Sequence, residues 1–184
     1  MPLARTVVAL LAFFGSAVSG AHAAVSSHCA ANEEVVFSCR LQKSAKVVSL
    51  CASKNLLAKP ENGQLTYRFG KPGAVELIFP KQAADSPQQF SFFHYFRAGL
   101  DETEVSFVNN GFSYSLFTHD EAEYGKSSVA ESGVRVTALK AARTATDITL
   151  SCTPATTIAR WSLIDGAVPC ADGDLNTCQS GEGP

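Results

Sequence analysis

His28, His94 and His119 are the histidines beyond residue 23. Together with the carboxylates and cysteines around them, they are the side chains whose chemistry must be weighed first. A hydrolytic nucleophile needs a base within hydrogen-bond reach and a turn that presents it. None of the three histidines lies in a Ser or Cys nucleophile signature, and the chain has no Gly-x-Ser-x-Gly. His94 stands among Phe90, Phe92, Phe93, Tyr95 and Phe96, where a packed core histidine is the ordinary outcome. His119 precedes Asp120 and Glu121, residue types suited to metal binding or acid–base work, although a solvated strand end accounts for the same three. Asp172, Asp174 and Asn176 alternate as oxygen ligands do in the first half of a calcium loop. Thr177 then occupies the place of the required Gly and Gly183 that of the bidentate Glu, which excludes an EF-hand and leaves a polar loop. The sequence therefore assigns no catalytic residue, no metal ligand and no cofactor.

Recognition is the chemistry that remains. Rigid β scaffolds commonly bind through the loops they hold, and the candidate loops are 70–73, 97–102 and 120–133. The second runs Arg97-Ala-Gly-Leu-Asp-Glu, with both signs of charge and a glycine for close approach. Arg97, Asp101, Glu102, His119 and Asp120 are the candidate binding residues.

The elements that must position these residues read as strands. Residues 35–41 and 46–53 are rich in Val, Phe and Leu, with the polar connection Gln42-Lys43-Ser44-Ala45 between them. Leu65, Tyr67 and Phe69 alternate with Thr66 and Arg68 before Gly70-Lys71-Pro72-Gly73, and 75–79 returns. Pro then Gly suits a type II turn, and pairing Phe69 with Val75 sets Arg68 opposite Glu76. The third hairpin has the strongest signal, Asn110-Gly111 between 105–109 and 112–118, because both turn residues tolerate positive φ. A two-residue loop there places Phe107 opposite Tyr114 and Val105 opposite Leu116. The stretch 90–97 is aromatic on both faces and reads as a central strand covered on both sides, or as an aromatic binding surface. Residues 134–139 and 148–152 complete the set, and 120–133 reads as a polar loop. The fold class is all-β, an antiparallel sandwich or barrel of about eight or nine strands built from successive hairpins.

The same chain carries Cys29, Cys39, Cys51, Cys152, Cys170 and Cys178. An even count with no two-to-four-residue zinc spacing reads as a disulfide framework. Cys39 and Cys51 flank the first polar connection and are expected to meet across it. Cys170 and Cys178 close a short loop, which leaves Cys29 for Cys152. One basic residue within Met1–Arg5, a short apolar run and Ala21-His22-Ala23 form the pattern of a secretory signal peptide. The apolar run is well short of the roughly 20 residues that span a bilayer. The expected organisation is a signal peptide over 1–23, an antiparallel β domain over 24–154 and an irregular extension with a small disulfide loop over 155–184. With 46% apolar residues the domain can bury a real core, and a formal net charge of −2 offers no basic stripe for nucleic acid. No integral membrane association is expected.

Phe37-Ser38-Cys39, Lys46-Val47-Val48-Ser49-Leu50-Cys51-Ala52-Ser53, Leu65-Thr66-Tyr67-Arg68-Phe69-Gly70 and Glu76-Leu77-Ile78-Phe79-Pro80 together resemble a group of uncharacterised secreted proteins of Gram-negative bacteria. The later Phe107-Val108-Asn109-Asn110-Gly111-Phe112-Ser113-Tyr114 and Gly133-Val134-Arg135-Val136 fit the same pattern, so the resemblance covers roughly Cys29 to Cys152. It implies a periplasmic or secreted location. A small exported β domain with a hairpin disulfide is also similar in style to periplasmic lysozyme inhibitors, which insert a loop into the enzyme's cleft. Their inhibitory loop has no residue-by-residue counterpart here. The expected function is an exported binding or inhibitory module acting on an extracytoplasmic protein, such as a cell-wall hydrolase. The alternatives are a carrier of a small molecule or glycan using the aromatic stretch 90–96, and third a hydrolase built on His119.

Overall fold

The computed structural model describes residues 27–122, 128–139 and 147–171. The expected signal peptide, the alternation Asp172, Asp174, Asn176 and Cys178 lie outside the described residues. Ten strands run in chain order: β1 Glu33–Arg40, β2 Val47–Ser53, β3 Leu65–Lys71, β4 Ala74–Phe79, β5 Ser91–Arg97, β6 Leu100–Asn109, β7 Phe112–Glu121, β8 Val129–Ala138, β9 Ile148–Ser151 and β10 Ile158–Ala159. They form two antiparallel five-stranded sheets, ordered β10-β1-β2-β3-β4 and β5-β6-β7-β8-β9. Their inner faces share one core. Phe107 of β6 lies at its centre, stacked on Phe79 at 4.3 Å and Tyr114 at 4.9 Å, with Tyr67 tilted at 4.9 Å and Phe90 edge-on at 5.4 Å. Such aromatic pairs add roughly 0.5–1.5 kcal/mol each beyond the area they bury.

The β6–β7 hairpin has the register its turn dictates. Asn110 and Gly111 both take positive φ, 51° and 81°, and Phe107 faces Tyr114 while Val105 faces Leu116. A two-residue turn with that twist leaves the flanking strands no alternative pairing. Both strands run further than the polar side chains suggest, to Leu100 and Glu121.

The first hairpin corrects the expected disulfides. Its connection is 42–45, closed by the Leu41 amide donating to the Lys46 carbonyl at 3.0 Å. This sets Cys39 opposite Val48, and a bulge at Val36 sets Cys51 opposite Val35. Cys51 is thus three residues, about 10 Å, beyond the position facing Cys39, and on the opposite face of the sheet, because side chains alternate with period two. Cys39 points inward and joins Cys152, the residue that follows β9 of the second sheet, with Cα atoms 5.6 Å apart. Cys51 points outward and joins Cys29, Cα atoms 5.3 Å apart. That bond pins the segment before β1 onto the outer face, where the His28 amide donates to Ser49 Oγ at 3.0 Å. Cys170 is also disulfide-bonded.

The second hairpin differs in register as well. Gly70 pairs with Val75, but Phe69 pairs with Leu77, so Glu76 is the extra residue of a bulge. Gly70 has φ 156°, and a side chain there would meet the Ala74 carbonyl oxygen and stand 2.7 Å from the Glu76 nitrogen. Arg68 therefore faces Ile78 rather than Glu76. It donates to Glu33 at 2.8 Å, while Glu76 pairs with Lys46 at 2.7 Å.

Three further expectations change. β5 is an edge strand of its sheet, not a central one. Its inner end is covered by the chain near Cys170: the Phe92 amide donates to the Pro169 carbonyl and the Ala171 amide to the Phe92 carbonyl, both at 2.8 Å. The expected loop 97–102 is a two-residue turn at Ala98-Gly99, with Asp101 and Glu102 inside β6. The expected loop 120–133 begins and ends as strand, in β7 and β8. Residues 155–171 form only short elements, yet they belong to the core. β10 pairs with β1, Trp161 stacks on Phe37 at 5.2 Å, and Ile164 is fully buried. Leu41 bridges to Cys152, so the disulfide and the backbone tie the two sheets together at one corner.

Candidate functional site

Strand register decides what the five candidate binding residues can do together. Tyr95, Glu102, His119 and Glu131 form one cross-strand row, and Phe96, Asp101, Asp120 and Ala130 the next. Adjacent rows point to opposite faces. Glu102 and His119 lie on the outer face, where His119 Nδ1 is 4.0 Å from Glu102 and Nε2 is 3.6 Å from Glu121. Asp101 lies on the other face and meets His94 Nε2 at 3.1 Å. Arg97 ends β5 exposed, and its contact with the carbonyl of Ala98 is 3.4 Å. The five residues thus cluster at one end of β5, β6 and β7 but are divided between two faces. On the outer face the next charges pair among themselves: Arg135 binds Glu104 at 3.1 Å and lies over the Phe117 ring at 4.4 Å. Phe96, 71% exposed, is in the row of Asp101, on the other face.

Cys29, Glu33 and Cys51 bring potential ligand atoms within 4.8 Å of one another. Both sulfurs are consumed by their disulfide and Glu33 is held by Arg68, so the group has no ligand to offer a metal.

A cavity of about 790 Å³ opens between the sheets at the end that carries the β1–β2 connection. This is within the size range of small-molecule sites. Leu41, Phe69 and Leu77 from the first sheet and Val136, Ile148 and Leu150 from the second make its walls apolar. Tyr67 of β3 and Tyr114 of β7 both line it and pack against each other from the two sheets, rings tilted with centroids 6.2 Å apart. Lys43, Lys46 and Glu76 stand at the rim. Lys46 is tied to Glu76 and lies 4.9 Å over the Phe69 ring, so that ion pair flanks the entrance.

Tyr67 is the most deeply buried of the polar side chains that line this cavity. It is 2% exposed, and its hydroxyl makes no hydrogen bond to any described residue. No fully buried side-chain oxygen or nitrogen among the described residues lacks a partner, so the Tyr67 hydroxyl keeps some accessible surface, and Tyr67 is one of the residues that line the cavity. Burial, with Tyr114 adding to it, pushes that hydroxyl far above the usual tyrosine range. It stays protonated and available as a donor throughout the physiological pH range.

Sequence reasoning did not find this cavity. Its signal was present in the hairpin patterns, which put Tyr67 and Tyr114 at inward positions of facing sheets, where a hydroxyl needs water, a partner or a ligand. Among the described residues no helix is long and apolar enough to cross a membrane. Comparison with known proteins gives no matching family model, no matching curated protein and no matching solved structure.

Proposed function

We propose that the chain is an exported binding module that holds a small, largely apolar molecule between its sheets. The observation that carries this reading is the open cavity of about 790 Å³, apolar in its walls and furnished with an unpaired tyrosine hydroxyl. Well-packed sandwiches close such space with side chains, because an unfilled apolar void costs stability. The two disulfides support an address outside the cytoplasm, and the signal-peptide pattern supports release into the periplasm or beyond. The site differs from the aromatic stretch 90–96, whose Phe90 and Phe92 are buried in the core.

The neutral fluorophore N-phenyl-1-naphthylamine tests the reading. The protein is expected to enhance its emission with one site per chain, and Leu77→Trp or Val136→Phe, each of which fills the cavity, is expected to abolish that site. Enhancement that both filling variants leave intact would place the dye elsewhere and refute the cavity.

Capture of an extracytoplasmic protein is the second reading. It is favoured by Phe96, exposed on the edge strand beside Arg97, His94 and Asp101. A cell-wall hydrolase inhibitor in the style of an inserted loop finds less support, since the expected loops 70–73 and 97–102 reduce to the two-residue turns Pro72-Gly73 and Ala98-Gly99 between strands. Assays of purified lysozymes and peptidoglycan hydrolases at micromolar protein decide it; no inhibition and no binding removes that specific form.

A further inference from the structure

We infer that the cavity between the sheets selects a ligand carrying an uncharged oxygen acceptor, a ketone or ester carbonyl set in an apolar body, which the Tyr67 and Tyr114 hydroxyls hold. The inference rests on the cavity being a binding site and adds the chemical class of what it takes. A purely hydrocarbon ligand would displace water from the Tyr67 hydroxyl and leave it buried without a partner, which costs more than the hydrogen bond itself is worth. A carboxylate would carry its charge into an apolar chamber, and a buried charge is tolerated only when paired. Of the two rim ammonium groups lining the entrance, Lys46 is already committed to Glu76 at 2.7 Å and to the Phe69 ring. Lys43 is exposed, on the left-handed turn of the β1–β2 connection at φ 55°, where bulk water screens it. The interior therefore offers hydroxyl donors without an accompanying charge. A carbonyl oxygen matches them because it accepts two hydrogen bonds, needs no counter-ion and carries no proton that would compete for the same lone pairs.

The geometry supports two donors rather than one. Tyr67 and Tyr114 come from facing sheets, and both also touch Phe107, at 4.9 Å each. Their rings are fixed by that packing, so the hydroxyls are held in place before a ligand arrives. Preorganised donors lose little freedom on binding, and discrimination between ligands with and without the acceptor is correspondingly sharp.

Benzophenone and diphenylmethane form the test, since they differ only by a carbonyl in place of a methylene; diphenylacetate supplies the charged counterpart. Titration of the full mature chain by ligand-observed NMR is expected to rank benzophenone about tenfold tighter than diphenylmethane, the advantage of hydrogen bonds otherwise left unmade. In Tyr67→Phe/Tyr114→Phe the two are expected to bind alike, with diphenylmethane unchanged or tighter than in the parent. These substitutions remove only the hydroxyls and leave the Phe107 stack in place, and the near-ultraviolet spectrum checks that they fold. Equal binding of benzophenone and diphenylmethane by the parent chain would overturn the acceptor class while leaving the cavity as a site. Tighter binding of diphenylacetate would overturn it in favour of an anion. A preference for benzophenone that survives in the double variant would show that other groups read the carbonyl, and binding of none of the three would remove the cavity reading as well.

Discussion

Replacing Cys39 and Cys152 together by alanine removes the covalent tie between the two sheets, and its cost can be set against that of the other disulfide. The bond joins residues 113 apart in sequence, while Cys29–Cys51 joins residues 22 apart. Loop-closure entropy gives about 4.8 kcal/mol for the longer loop and about 3.4 kcal/mol for the shorter one, a difference of about 1.4 kcal/mol. Cys39, Cys51 and Cys152 are buried while Cys29 is half-buried, so the packing loss is the smaller one for Cys29–Cys51 and points the same way as the loop length. Neither bond shortens the other's loop appreciably: the path from Cys39 to Cys152 through Cys29–Cys51 is almost as long as the direct one. Trp161, the one tryptophan, stacks on Phe37 of β1 and reports unfolding of the core. Urea titrations followed by its fluorescence are expected to show Cys39→Ala/Cys152→Ala destabilised more than Cys29→Ala/Cys51→Ala. Equal losses, or the reverse order, would refute both the pairing and the entropic reasoning.

Ile164→Ala is expected to cost about 2–5 kcal/mol in the same assay, as a fully buried isoleucine does; a loss below about 0.5 kcal/mol would return 158–168 to the status of an appendage. Burial raises the Glu33 carboxyl, but the hydrogen bond from Arg68, the one from the Ala30 amide and the Arg68 charge outweigh it, and the net pKa lies below its ordinary 4.5. A lowered carboxylate pKa contributes stability that is fully present above the ordinary value and is lost as pH falls through the lowered one. Stability measured between neutral pH and about pH 3 is expected to fall more steeply in the parent than in Glu33→Gln, and parallel profiles would contradict the assignment.

The parts of the fold legible in the sequence are those where a turn and a side-chain pattern specify the same register. Asn110-Gly111 fixes a two-residue loop, and Phe107–Tyr114 and Val105–Leu116 follow from it without ambiguity. The first hairpin carries the same kind of apolar pattern, but the bulge at Val36 shifts part of its register, and the pull of pairing two nearby cysteines favoured a register the four-residue connection does not allow. Once Cys39 is counted opposite Val48, parity alone sends Cys51 to the other face and forces both sulfurs to seek distant partners. Gly70 concealed a second bulge, since a glycine beside a Pro-Gly turn reads as part of the turn. β5 misled through composition: Phe90 and Phe92 are buried as a central strand would have them, yet Phe96 protrudes from an edge. The five candidate binding residues are close in sequence to two strand ends, but the period of two divides them between faces. Tyr67 and Tyr114 went unremarked because each is an ordinary inward residue of its own strand. Only the packing of two sheets brings both of them to the lining of one cavity.

The central claim is that the space between the sheets is a ligand site, and methyl-resolved NMR on the chain from Ala24 onward with N-phenyl-1-naphthylamine tests it most directly. The account predicts shifts concentrated at Leu41, Leu77, Val136 and Leu150, which line the cavity, with Ile78 and Val108 on the outside unmoved. Shifts confined to Ile78, Val108 and other exposed methyls, or spread evenly over the surface, would contradict it.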